Sequence, residues 1–106
     1  MSAYEALDTF AFEALAVAGT AVGFTAATMK GDPATGKPAI AAECTVEGAP
    51  IRMRADGTNP TAAVGTPYSV GDTFVVWGQR DLKSVKFIRQ GGVSATLSTQ
   101  FLRAVA

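Results

Sequence analysis

Near the end of the chain, residues that are mostly apolar alternate with polar residues over nine positions. The first set of positions is Val93, Ala95, Leu97, Thr99 and Phe101. A period of two is the spacing of side chains along one side of a strand, so this pattern predicts a strand with one buried face. The segment from Ile40 to Val46 has the same period and predicts a second strand, with Ala41, Glu43 and Thr45 directed outward.

Four further segments have the composition of strands. Residues 73–77 form a dense run of β-branched and aromatic residues, which predicts a central strand. Val22, Phe24 and Ala26 would share one face of another strand. Residues 85–89 predict a strand, but which of its sides is buried stays undecided because two large apolar residues are adjacent. Glycines and a proline around Tyr68 predict a short edge strand.

Turn signals separate these segments at intervals of roughly eight to fifteen residues, which is typical of an all-β sandwich or barrel. The short connection 47–50 predicts a hairpin between the strand ending near Val46 and the strand beginning at Ile51. We therefore expect residues 1–106 to form a single antiparallel β-sandwich domain, immunoglobulin-like or jelly-roll-like.

The N-terminal segment 2–18 fits two structures. Ser2 and Glu5 have the spacing of a capping box, and apolar residues from Tyr4 to Leu15 lie on one helical face. Against a helix, Phe10 and Phe12 begin an alternation typical of a strand. Both structures stay open from the residues alone, and in either case residues 1–8 are a candidate arm that reaches a neighbouring subunit.

The segment 51–61 combines a strand with a turn. Ile51 and Met53 alternate with Arg52 and Arg54, and Asp-Gly and Asn-Pro dipeptides follow. We interpret four residues as structural: Gly supplies a positive φ angle, and Asp accepts a backbone hydrogen bond with help from Thr. These turn residues are Asp56, Gly57, Thr58 and Pro60.

The 51–61 segment resembles a motif of two groups of β-sandwich domains. One is the immunoglobulin-like C-terminal domain of chitobiases and related glycosidases. The other is a set of small structural proteins of tailed bacteriophages, and the similarity to this set is broader because further stretches occur in the same order. These stretches are 21–28, 51–61, 81–82, 87–89 and 91–97. The resemblance favours a strand over residues 12–17.

The phage resemblance implies a non-enzymatic virion protein made in the host cytoplasm. The specific expectation is a capsid decoration or cement protein on the capsid surface, bound to the major capsid protein or other virion proteins and forming a homo-oligomer, with a trimer as our expectation. A neck, tail or fibre component is the alternative within the virion. The glycosidase resemblance implies a third possibility, a carbohydrate-binding or adhesive module.

The charge is unevenly distributed although the net charge is zero. Residues 1–50 carry six acids and two bases, hence −4, and residues 51–106 carry seven bases and three acids, hence +4. Such separation favours contacts between copies. The candidate subunit contacts are Arg52, Arg54 and Arg89 on the basic side and Glu43 and Glu47 on the acidic side; a solvated face is the equal alternative for Arg52 and Arg54.

The residue types present argue against catalysis, cofactors and metals. The chain has no histidine and one cysteine, and Cys44 shares a face with Val46, so we expect it to be buried. Residues 31–38 imitate a phosphate-binding loop, but Pro38 replaces the required Ser or Thr, and a strand should follow. Trp77 is expected in the core, with a sugar platform as its alternative.

Other partners receive no support from composition. A basic run and zinc-finger spacing are both missing, so nucleic-acid binding is not expected. No apolar stretch reaches membrane-spanning length, and no Lys or Arg precedes Lys30 in the pattern of a secretory signal.

Overall fold

The computed structural model describes residues 7–31 and 37–104, which form two antiparallel sheets. Seven strands and two short helices follow one another in this part of the chain. They are β1 (Leu7–Val17), α1 (Ala26–Met29), β2 (Ala41–Glu47), β3 (Ile51–Arg54), β4 (Thr66–Tyr68), β5 (Thr73–Trp77), α2 (Gln79–Ser84), β6 (Lys86–Arg89) and β7 (Ala95–Ala104). The predicted all-β sandwich is confirmed.

The larger sheet has the strand order β1-β7-β2-β5, and the smaller has the order β4-β3-β6. The last strand, β7, lies between β1 and β2 and pairs with both in antiparallel register. In a constant-type immunoglobulin domain the last strand does not share a sheet with the first two strands, whereas here β7 shares one with β1 and β2. Its central position here explains why its alternation is so regular, since it is flanked by strands on both edges.

The core lies between the two sheets. Phe24 packs edge-on against Phe87 of the smaller sheet and Phe101 of the larger sheet, with ring centroids 5.2 Å apart in both pairs. Ile51 and Leu97 are fully buried in the same cluster. Aromatic contacts in this edge-on geometry add to the burial of apolar area, so the three phenylalanines tie the two sheets together.

The N-terminal segment is a strand from Leu7 to Val17, so the helical alternative is wrong for these residues. The β1–β7 register shifts between Thr9 and Ala11, which marks a β-bulge. Because of this shift, Phe10 packs against the core while Phe12 remains 59% exposed. Leu7 and Asp8 of the predicted arm belong to β1, and residues 1–6 lie outside the described part.

The strand predicted over Val22, Phe24 and Ala26 is wrong. Val22 makes an isolated bridge to Phe87, and the chain then turns into α1. The Glu13 carboxylate of β1 holds this turn: Oε1 accepts a hydrogen bond from the Thr25 N–H at 3.1 Å, and Oε2 accepts one from the Thr25 hydroxyl. A contact from a distant strand thus overrides the local alternation.

The predicted hairpin between β2 and β3 is also wrong. β2 pairs with β5 and β7, whereas β3 pairs with β4 and β6, so the connection through Gly48 passes from one sheet to the other. Gly48 has a φ of 86°, a left-handed conformation that allows this turn. Both strands bury apolar side chains in the common core, which a two-stranded hairpin alone does not achieve.

β5 was predicted to be central but lies at the edge of the larger sheet. Its residue Trp77 is correspondingly 44% exposed, so its expected place in the core is wrong. Ala41, expected to face outward, is fully buried because its small side chain lies between its cross-strand neighbours Leu102 and Trp77. β-Branched composition identified a strand here but not its position in the sheet.

The remaining elements complete these assignments. In β6, Phe87 faces the core and Ile88 is half-buried, which settles the undecided facing. The edge strand around Tyr68 is confirmed as β4. β7 begins at Ala95, so Val93 lies outside it and is exposed. The helix α2 was not predicted; it buries Leu82 beside the larger sheet.

Candidate interaction surfaces

The turn after β3 has the structure that its sequence predicts. Gly57 has a φ of 89°, and a Cβ at this position would meet nothing within 4 Å. The Asp56 carboxylate accepts a hydrogen bond from the Thr58 N–H at 3.3 Å. The glycine is therefore required by its backbone conformation and not by crowding.

Arg54 forms an ion pair with Asp56 in this turn. Nε donates to Oδ1 at 3.1 Å and Nη2 donates to Oδ2 at 2.5 Å, a two-point arrangement. The Arg54 guanidinium, helped by the Thr58 N–H, lowers the pKa of Asp56 from 3.8 to about 2. Since Asp56 is exposed and Arg54 is partly exposed, the pair orders the turn more than it stabilises the fold.

Arg52 holds the loop that connects β3 to β4. Its Nε donates to the carbonyl oxygen of Ala62 at 3.0 Å and its Nη1 donates to that of Gly65 at 2.8 Å. The sequence pattern suggested only solvent or a neighbouring subunit as the surroundings of this side chain. The role was missed because the loop carbonyls lie ten and thirteen residues further along the chain.

The outer side of the smaller sheet is basic. Arg52 pairs with Ile88 and Pro67 across the strands, and Arg54 pairs with Lys86, so all five point to the same side. Ile51 and Met53 point to the opposite side, toward the core. We call this surface the basic face: Arg52, Arg54, Pro67, Lys86 and Ile88.

The outer side of the larger sheet is acidic. Glu43 lies in one cross-strand row with Phe12, Gln100 and Val75. Because residues two apart in a strand share a side, Glu47 and Trp77 belong to the same surface. We call it the acidic face, defined by its acids and large apolar residues: Phe12, Glu43, Glu47, Val75 and Trp77.

Four of the five candidate subunit contacts divide between opposite sides of the sandwich. Arg52 and Arg54 are on the basic face, and Glu43 and Glu47 are on the acidic face. Arg89 joins neither group: it pairs with the buried Ile51, and its Nη1 donates to the Ser94 hydroxyl at 3.3 Å. Lys86 takes its place on the basic face, and the strand register reveals this where sequence spacing did not.

An apolar cavity of roughly 580 Å³ opens at one end of the sandwich, between α1 and α2. Met29, Ala39 and Leu82 form part of its lining, and Lys30 and Lys83 contribute its cationic groups. This lining does not indicate one class of ligand, because it has few of the polar groups that orient a small molecule.

Cys44 is buried, as the alternation predicted, and as the single cysteine of the sequence it forms no disulfide within the chain. Burial raises the pKa of its thiol to about 12. The neighbouring Thr99 hydroxyl donates to the carbonyl of Leu97 at 3.2 Å. A thiol held in its neutral form inside the core is a packing group and not a nucleophile.

Across residues 7–31 and 37–104, no three Asp, Glu, Cys or His side chains are grouped so that they could hold a metal ion. The two helices in this part of the chain are too short to span a membrane. A β-strand, not a helix, follows Pro38, which is what the sequence predicted for the imitation of a phosphate-binding loop.

No protein-family model, curated protein sequence or solved structure matches this chain significantly.

Proposed function

We propose that this chain is a non-enzymatic structural protein of a tailed-phage virion, and specifically a capsid decoration or cement protein. The ordered set of motifs from residue 21 to residue 97, which resembles small phage structural proteins, carries this proposal. In this role the protein binds the major capsid protein in many copies on the outer surface and joins neighbouring capsomers.

The surfaces of the molecule support such a role. A small sandwich presents two opposed outer faces, and among the described strands the eleven-residue edge strand β1 pairs with β7 alone. An edge strand can be extended by a strand of another protein, in which main-chain hydrogen bonds give affinity and side chains fix the register. The decoration role requires only these features and a rigid scaffold.

The expected assembly is a trimer on three-fold or quasi-three-fold positions of the shell. Symmetric shells offer such positions, and closed symmetric oligomers are the rule for repeated contacts. This number follows from the resemblance to phage proteins and the symmetry of shells.

Quantitative mass spectrometry of purified virions tests the proposal. A decoration protein occupies repeated shell positions and is present in hundreds of copies, whereas a ring in the neck contains about a dozen. A copy number near that of the major capsid protein is the expected result. About a dozen copies would support the neck, tail or fibre role instead, and absence from virions would overturn both.

A carbohydrate-binding module is the second candidate, favoured by the exposed Trp77 on the acidic face. Sugar platforms require exposed aromatic rings. Tyr68 is not available for this purpose because its ring stacks on Phe74 with centroids 4.1 Å apart. A glycan array with the wild-type chain and Trp77→Ala decides this case: sugar binding that is lost in the variant would support the module.

A further inference from the structure

The two outer faces of the sandwich carry opposite charges among the described residues. The acidic face has Glu43 and Glu47, hence −2, and the other outward positions of its four strands are uncharged. The basic face has Arg52, Arg54 and Lys86 against the neighbouring Asp56, hence 3 − 1 = +2. The charge asymmetry between the halves of the sequence thus becomes an asymmetry between two sides of the folded domain.

We infer that this chain associates with itself head to tail, the acidic face of one copy lying on the basic face of the next. The opposite charges of the two faces make a second copy of the chain the partner that fits each of them. A two-fold contact would place either face against itself and bring like charges together, which is unfavourable. Only the head-to-tail arrangement brings Glu43 and Glu47 opposite Arg54 and Lys86.

Apolar groups on both faces supply the affinity in this arrangement. Phe12 and Trp77 are partly exposed beside the glutamates, and Pro67 and Ile88 flank Arg52. Exposed ion pairs contribute little to affinity on their own, but they determine which surfaces meet and in which orientation. The charges therefore set the polarity of the assembly, while the aromatic and aliphatic side chains provide buried area.

A head-to-tail interface leaves one face unused at each end of a dimer. Further copies then add until the rotation between neighbours closes a ring or, if it does not close, until a filament forms. The inference goes beyond the proposed function, because copies joined through opposite sides of a sandwich add in a row, and this contact is separate from the trimer expected on the shell. It concerns the isolated chain and is tested without virions.

Sedimentation velocity of the purified 106-residue chain over a range of concentrations tests the inference. We expect concentration-dependent association that weakens as salt increases, since salt screens exposed charges. Two charge-reversed variants separate the faces: Glu43→Arg with Glu47→Arg makes both faces basic, and Arg54→Glu with Lys86→Glu makes both acidic. Arg52 is left unchanged because it holds a loop.

Each variant alone should associate at least about tenfold more weakly than the wild type, and association should return in an equimolar mixture of the two, because each basic face then meets an acidic one. Arg80→Glu with Lys83→Glu, on α2 and outside both faces, makes the same change in net charge as Arg54→Glu with Lys86→Glu and should associate normally. Arg54→Glu with Lys86→Glu could also lower the melting temperature by breaking the turn. In that case Lys86→Glu alone, which leaves the turn intact, should still weaken association, by less than the double change.

A wild-type chain that stays monomeric, or reversed variants that associate normally, would overturn the inference. So would a mixture of the two folded variants that remains monomeric. None of these results bears on the copy number in virions, so failure of head-to-tail association and failure of the decoration role are separate outcomes.

Discussion

The two sheets of this small domain are held in different ways. The larger sheet contains strands of up to eleven residues. Its central strands, β2 and β7, bury alternate side chains, which include Ala42 in β2 and Phe101 in β7. The smaller sheet contains strands of three and four residues, and a loop held by Arg52 and a glycine turn at Gly57 flank it. Burial therefore organises the first sheet, and side-chain bonds to loops complete the second.

The largest expected effect tests whether the two sheets share one core. Phe87→Ala and Phe101→Ala each remove a fully buried ring that contacts Phe24, one from each sheet. Both should lower the free energy of unfolding by about 3–5 kcal/mol, as buried Phe to Ala changes do. Urea denaturation measures this. A loss from one variant only would show that the sheets have separate stability.

The glycine turn gives the next effect. Gly57→Val forces a β-branched residue into a φ of 89° and should cost about 1–3 kcal/mol of stability. Gly57→Asn is the matched control, since Asn tolerates positive φ better and open space surrounds the site. Thermal melts of both variants decide the point. A valine variant as stable as the wild type would mean that the turn adjusts without strain.

The contribution of the loop hydrogen bonds is measured by Arg52→Met, which keeps much of the apolar stem. Loss of the two bonds to Ala62 and Gly65 should cost about 1–2 kcal/mol, because the acceptors are backbone carbonyls of an ordered loop. Arg54→Met is the control and should cost less, since its partner Asp56 is exposed. Equal costs from urea denaturation would assign no special role to Arg52.

The smallest effect depends on pH. The pKa of Asp56 is lowered from 3.8 to about 2 by Arg54, so the carboxylate stabilises the fold above pH 3.8 and loses that effect as the pH falls toward 2. The wild type should melt slightly above Asp56→Asn at pH 6, and this gap should narrow steadily between pH 4 and pH 2. Asp81→Asn on α2 is the control. A gap that is constant with pH would exclude the ion pair as its cause.

Sequence periodicity identified much of the larger sheet. The alternations around Cys44 and Leu97 predicted β2 and β7, because a strand between neighbours must bury every second residue. The Asp56-Gly57 turn was predictable for a local reason, since its geometry depends on a positive φ and a hydrogen bond within the turn. The acidic and basic faces were visible only as a difference between the halves of the chain.

Errors arose where distant contacts decide the local structure. Glu13 binds Thr25 and stabilises a helical turn where alternation suggested a strand. Trp77 is exposed because β5 lies at an edge, although its composition is typical of a central strand. Local propensity cannot register such contacts, since it describes each segment apart from its partners.

The sequence by itself determined most of the segments that are strands, which face of most strands is buried, and where the chain turns at Asp56-Gly57, because these depend on residues close to one another. Only the tertiary structure decided that β7 lies between β1 and β2, that β2 and β3 belong to different sheets, and that Lys86 joins Arg54 on one face. Alternation specifies the period of a strand but not its partner; the partner is chosen by contacts between distant segments that bury a common core.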